Sequence, residues 1–509
     1  MFQTLKNAWK TQELKTKLLF TLLIVILYRL GSAIPVPWVS PDNVLANGIA
    51  SSANVALQIV AGNAFGQATL FALSVSPYIT SSIIMQLLTI AIPALERMAK
   101  DGEEGKKKIN AITRIVTMGL ALVTSFGYAN MIISQNMTNL VTLNYKVVNG
   151  VSTFQNATWH TTGAVTPAYN LGLLIQNAGF QFIVMIACYC AGAALVMWLA
   201  EKVNEFGIGN GISIILFANI ISRLPNTFVG LFNMIKNGIT VVSLGYEKAV
   251  FQLVCAIIWA VIVIALLIGL AWLIVWFTDS ERRIPIQYAK KVVGRKMYGG
   301  SSSNLPLKLN MAGVMPVIFA SSIVSLPATL TTIFPNAAWL ANLANNYLHY
   351  TKPLYVLLSV ILLFAFAYFY ILISFNPTEV ANNIRNNGGA IPGIRPGKPT
   401  RDYIQKILNR VTLIGAIFLC IVSEVPKIIV SIFGLLNDFA VLFPTSKFLT
   451  AIVNFYNTGI YTSFIQQEHV FQTIAFAGTS VLIVVGVILE TVRELEAQLT
   501  MRNYKGFLD

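Results

Sequence analysis

Apolar runs of membrane-crossing length recur along the whole chain, separated by short polar stretches. A helix that crosses a hydrocarbon core of about 30 Å needs about 20 mostly apolar residues. By that measure the pattern predicts ten spanning helices, at about 18–34, 74–93, 111–133, 171–199, 209–229, 250–277, 309–334, 353–375, 406–433 and 469–491. The stretch from Asn54 to Leu73 is also apolar, but Gly62 and Gly66 interrupt it. It is too short to span and reads as re-entrant, a form that survives at membrane depth only inside protein or facing water. Two spans share an unusual chemistry. Ser74–Ile84 and Gly313–Ile323 each carry a proline near the start (Pro77, Pro316) and a Ser-Ser pair about one turn later. The hydroxyls leave one face less apolar than a lipid anchor needs, and the recurrence suggests two helices facing each other along a seam that opens.

Composition agrees. The chain is 56% hydrophobic and 11% charged, with mean hydropathy +0.69, against about 25% charged in soluble domains. The first apolar run begins at Leu18, lacks an A-x-A-like end and is followed by further spans, so no cleavable signal peptide is expected. Cys188, Cys190, Cys255 and Cys420 all lie within apolar runs, which argues against a disulfide framework. His160, His349 and His469 are scattered, so neither a metal site nor a cofactor is expected.

Charge sets the orientation. Of the 35 Lys and Arg residues, 27 fall in the N-terminus, the even-numbered connections and the C-terminal tail. Both termini are therefore expected in the cytosol. The halves divide near residue 235, giving 1–235, 236–491 and a tail at 492–509, with large cytosolic loops at about 278–308 and 376–405. The two Pro-and-Ser spans hold equivalent places in this five-plus-five plan, the pattern of inverted repeats around a central site.

The chemistry of enzymes is absent. The chain has no Gly-rich phosphate loop, no HExxH and no G-x-S-x-G, and no catalytic residue is assigned. Gly207-Ile208-Gly209-Asn210-Gly211 reads as a helix start, with Asn210 placed to cap the span that follows. Charges inside the spans are few, and Arg29, Glu424 and Lys427 read as snorkelling or paired structural charges. That weakens an ion-coupled carrier and favours a passive conduit; a secondary transporter or a lipid-handling membrane protein is the alternative. The cytosolic loops stand apart. Arg282-Arg283, Lys290-Lys291 and Arg295-Lys296 are three basic pairs, and Gly388–Lys398 is a glycine- and proline-shaped loop presenting Arg395 and Lys398. Such clusters suit phosphate backbone or an acidic protein surface.

Several stretches, in order, resemble the SecY family, the channel subunit of the bacterial protein-export translocon: Ser76-Pro77-Tyr78-Ile79 through Gln86-Leu87-Leu88, Gly207 to Ser213, Leu305 to Gly313, Phe375-Asn376-Pro377, and Pro392 to Gly397. The resemblance implies an all-α membrane protein, a ten-helix clamshell of two pseudo-symmetric inverted halves in the bacterial cytoplasmic membrane. Unfolded clients with signal sequences would pass through its middle or leave sideways into the lipid bilayer. It implies a pore ring of Val75, Ile79, Ile212, Leu216, Ile318 and Ile483, and a plug helix at about 54–68 containing Gln58, Gly62, Asn63, Gly66 and Gln67. The lateral gate would set Thr80, Ile83, Ile84 and Gln86 against Ser321 and Ser322. Arg395, then Arg295 and Lys296, with Lys290 and Lys291, would dock the ribosome and the motor SecA, and SecE and usually SecG would complete the complex. Spacing supports part of the ring: Val75/Ile79 and Ile212/Leu216 are i,i+4 pairs, each on one helix face. The long connections at 134–170 and 434–468 carry no assigned role.

Overall fold

The computed structural model describes residues 2–37, 39, 63–134, 140–148, 151–160, 178–243, 249–288, 291–293, 296–298, 302–334, 337–348, 352–442 and 468–505. In chain order the first elements are α1 (Phe2–Lys10), α2 (Gln12–Gly31), α3 (Asn63–Gly66), α4 (Ser76–Ala91), α5 (Pro93–Lys100), α6 (Gly102–Ser134), β1 (Leu140–Val148), β2 (Val151–His160), α7 (Ala178–Phe206) and α8 (Gly211–Ser243). There follow α9 (Ala249–Thr278), β3 (Glu281–Tyr288), β4 (Lys291–Val293), β5 (Lys296–Tyr298), β6 (Ser302–Lys308), α10 (Met315–Val324), α11 (Leu326–Ile333) and α12 (Ala338–Asn342). The last are α13 (Pro353–Ser374), α14 (Pro377–Asn386), β7 (Gly389–Ala390), α15 (Lys398–Leu442) and α16 (Glu468–Lys505).

Each of the ten expected spans overlaps helix among the described residues. Among the described residues, six stretches are both long and apolar enough to cross a membrane, and α4 with α5 make a seventh if that bent pair counts as one. The pair bends by 100°. Its cause is local: Pro93 opens α5, and Ile92 before it is held extended (φ −108°, ψ 113°), as proline demands of its predecessor. The span expected at 309–334 is two helices rather than one. It breaks at Ser325, because Pro327 lies in the first turn of α11 and has no N–H to continue the ladder of α10. The Asn376-Pro377 motif has an equally plain explanation. The Asn376 side chain accepts from the Thr378 and Glu379 N–H groups, while Pro377 takes the position where a missing N–H costs nothing.

The chain forms two compact units. One comprises Met1–Lys236, Ser322–Tyr355 and Val487–Asp509; the other comprises Asn237–Ser321 and Val356–Gly486. In the first, α6 packs against α4, α7 and α11, and α7 also meets α2. Its core gathers Phe65, Ala68, Ala72, Leu73, Tyr128, Met185 and Tyr189. The amphipathic α1 lies against the same unit through Ala8, which shares a small buried cluster with Leu14, Ile208 and Leu495.

The connections contain strands that the apolar pattern does not announce. Between α6 and α7, β1 and β2 pair antiparallel, with Val148 opposite Val151, on either side of the sequence Asn149-Gly150 that two-residue hairpins prefer. In the second unit β6, β3 and β7 form one three-stranded sheet in that order. Ile284 and Ile286 alternate inward along β3 while Arg282 and Arg283 are exposed. Their inward face joins Leu307, Ile384, Ile391 and Ile404 in a compact core. The two basic loops are therefore one folded body.

Candidate functional site

Two helix starts carry four of the six expected ring residues. At the first, the chain makes successive tight turns from Thr69 to Ser76, and Val75 caps α4 with its carbonyl accepting from the Ile79 N–H at 2.9 Å. Val75 and Ile79 are both buried. The second start is held by four side-chain acceptors. The Gly211 N–H donates to Asn204 Oδ1 (2.7 Å), the Ile212 N–H to Asn210 Oδ1 (3.0 Å), the Gly209 N–H to Glu494 Oε2 (2.8 Å) and the Ile208 N–H to Thr21 Oγ1 (3.1 Å). Asn210 thus caps as its position suggests. Gly209 needs its φ of +84°, and Gly211 needs its missing side chain, since a Cβ there would lie 1.9 Å from the Ala200 carbonyl oxygen. This anchoring fixes Ile212, half-buried, and Leu216, buried, on one face of α8. Ile318 on α10 and Ile483 on α16 are buried within the second unit.

Of the expected plug, Gln58 and Gly62 lie outside the described residues; Asn63 opens α3, Gly66 is buried and Gln67 half-buried. The end of this segment and the chain that follows are firmly seated. Phe65, Tyr128 and Tyr189 form an aromatic trio with centroids 4.8 and 5.0 Å apart. Tyr128 donates to the Phe65 carbonyl, and Tyr189 to the Ala68 carbonyl at 3.2 Å. Gly192 of α7 meets the Leu70 carbonyl so closely that a Cβ would sit 2.0 Å from it. Pro35 and Thr69 form a short bridge, with the Leu70 N–H donating to the Ile34 carbonyl at 2.9 Å.

The polar groups of the expected gate make local bonds. Thr80 donates to the Ser76 carbonyl (3.0 Å), Gln86 to Ser82 Oγ (3.2 Å) and Ser321 to the Ile318 carbonyl (2.9 Å), each within its own helix. The Ser322 carbonyl accepts from Ser325 Oγ at 2.8 Å. Ile83 is buried and Ile84 half-buried. Ser81, half of the Ser-Ser pair that marked this helix, is bonded to a neighbouring span. It is wholly buried against α6, where it bonds Thr117 Oγ1; a hydroxyl pair joining neighbouring spans is ordinary membrane-helix packing.

The charged residues sort into two classes. Glu424 and Lys427 are each 3% exposed and paired at 2.9 Å. Ser359 and Ser423 donate to the same carboxylate at 2.8 and 3.2 Å. Ser359, Ser423 and Lys427 all donate to Glu424, as a structural pair requires. Beside it Pro426 leaves the Val422 carbonyl without its helical donor, and Gly478 covers that oxygen closely enough that a Cβ would stand 1.9 Å away. On the basic loops, in contrast, Arg282 and Arg283 are exposed. Arg395 is exposed on a loop shaped by Gly393 (φ +81°) and Gly397 (φ +104°), and its carbonyl accepts from Thr400 Oγ1 at 2.9 Å. Lys291 and Lys296 begin β4 and β5, paired opposite Tyr298 and Val293, whereas Lys290 and Arg295 lie outside the described residues. No cluster of His, Cys, Asp and Glu able to hold a metal occurs among the described residues.

Comparison with known proteins matches this arrangement to one family. The SecY family model matches residues 69–492. The protein translocase subunit SecY of Streptomyces coelicolor is 37% identical over 516 residues, covering 100% of both chains. That of Mycobacterium bovis is 35% identical over 521 residues, again covering 100% of both. Among solved structures, a protein-conducting channel superposes with a TM-score of 0.54 at 16% identity, over 95% of this chain and 92% of that one. Family model and full-length relatives agree, and the chain belongs to the SecY family.

Proposed function

We propose that this chain is the channel subunit of a protein translocase, passing unfolded polypeptide across the bacterial cytoplasmic membrane and releasing apolar segments sideways into lipid. The observation that carries the reading is the full-length kinship with translocase subunits. The site chemistry supports it. In this reading the apolar side chains of Val75, Ile79, Ile212, Leu216, Ile318 and Ile483 would seal the pore by excluding water and offer a passing chain nothing to bond. The buried pair of Glu424 and Lys427 is occupied with its own hydrogen bonds, which disfavours the secondary-transporter alternative. In this reading both termini are cytosolic, SecE and SecG complete the complex, residues 1–235 and 236–491 form the two halves, and residues 54–68 plug the pore. No step of chemistry is assigned to the chain itself; SecA or the translating ribosome supplies the work.

Reconstitution tests it. Vesicles holding the complex, given the motor and ATP, should protect a signal-bearing client from added protease. Accumulation of a small solute with no client protection would overturn the channel reading in favour of a carrier. Cysteines placed at Ile83 and Ser322 should crosslink in the resting complex, and locking them should reduce export; failure to crosslink removes those residues from the gate. Arg395→Glu should lower motor-driven export about tenfold, the cost of a lost charge-assisted contact, with the complex assembled normally. Unchanged export would remove Arg395 from the docking surface.

A further inference from the structure

Three buried polar side chains from three separate elements meet beside the ring: Tyr28 of α2, Ser74 in the turn before α4, and Asn219 of α8. Their relative exposures are 0, 1 and 0%. Tyr28 Oη donates to Asn219 Oδ1 at 2.8 Å, Asn219 Nδ2 donates to Ser74 Oγ at 2.9 Å, and Ser74 Oγ and Tyr28 Oη lie 3.0 Å apart. The tyrosine has one hydroxyl proton, already committed to Asn219, so Ser74 is the donor in the third bond. The triangle closes in one sense, with every member donating once and accepting once, an arrangement whose bonds strengthen one another.

Its placement is specific. Ser74 adopts φ +49°, a left-handed conformation that a serine occupies only when its surroundings hold it there. Val75 is the next residue. Asn219 lies three positions beyond Leu216 and shares its side of α8. Phe71, on the same turn-rich segment, stacks on the Tyr28 ring with centroids 5.6 Å apart and planes 13° apart. Gly31 makes the room, because a Cβ there would fall 2.0 Å from the Phe71 ring.

We propose that Tyr28, Ser74 and Asn219 are positioning residues, a latch that holds the turn into α4 and so sets how readily Val75 leaves the ring. The proposal rests on the channel reading above. Removing either hydroxyl breaks two of the three bonds of the latch and should ease displacement of the turn by a factor of about five, given the modest worth of each such bond inside a membrane.

The test uses the whole complex in vesicles. Tyr28→Phe removes one hydroxyl and keeps the ring on Phe71; Ser74→Gly removes the other and accepts φ +49° without strain. Both variants should raise resting ion leak about fivefold and increase export of a client with a weakened signal sequence, while export of the normal client and the melting temperature of the complex stay near the parent's. Leak and weakened-client export equal to the parent's would overturn the latch. So would a fall in all export together with the melting temperature, since that marks a role in folding alone. Export of the normal client by the parent tests the channel reading separately; the latch stands or falls on the difference between variant and parent.

Discussion

Glu424→Ala should destabilise the complex by about 3–5 kcal/mol, because it strips a buried ammonium of its carboxylate. Lys427 and Glu424 are both 3% exposed and 2.9 Å apart, at a depth where water cannot replace the missing partner. Ser359 and Ser423 lose an acceptor in the same step. The loss should appear as a large drop in melting temperature of the detergent-purified complex and in its yield from membranes. A double replacement, Glu424→Met with Lys427→Met, removes both charges and should recover most of the stability, since an apolar pair of similar volume is often as good as a buried ion pair. Equal melting of Glu424→Ala and the parent would show that the pair is solvated. A double variant as unstable as the single would show that shape rather than charge governs the site.

Gly192→Ala should have the largest effect on the pore for the smallest change in side chain. Its Cβ would lie 2.0 Å from the Leu70 carbonyl oxygen and 3.0 Å from the carbonyl carbon. Backbone cannot rotate aside as a side-chain tip does, so the turn segment or α7 must move, at a cost of about 1–3 kcal/mol. The segment is the one that carries Phe71, Ser74 and Val75. Resting ion conductance of reconstituted complex should therefore rise, by about tenfold for a shift of about 1.4 kcal/mol, and Gly192→Ser should behave alike. Conductance unchanged in both would mean that α7 yields and the segment stays.

How much of this was legible in the sequence depends on the distance over which the information acts. The spans were legible because each is written in about 20 consecutive residues. Asn210 was legible as a cap because its bond to the Ile212 N–H is local. The break at Ser325 was nearly so, since Pro327 announces it. The sheet of β3, β6 and β7 was hidden by its own charges: Arg282 and Arg283 draw attention to docking, while the alternation of Ile284 and Ile286 that marks a strand is only two residues deep. The bond from Ser81 to Thr117 of α6 was not legible, because it joins positions far apart in the chain. Tyr28, Ser74 and Asn219 gave no signal at all, because the bonds that unite them span 46, 145 and 191 positions. Tyr128 and Tyr189, which hold the Phe65 and Ala68 carbonyls, were missed likewise; a tyrosine in a span reads as one more apolar residue until its hydroxyl is placed.

The sheet has a mechanical consequence. β3 starts three residues after α9 ends, and β6 ends seven residues before α10 begins. β7, hydrogen-bonded to the far end of β3, leads through the Arg395 loop into α15. A particle that grips that loop therefore pulls on a stiff handle fastened to the ends of three helices. Such a pull would reach α10, which bears Ile318, through a connection of only six residues.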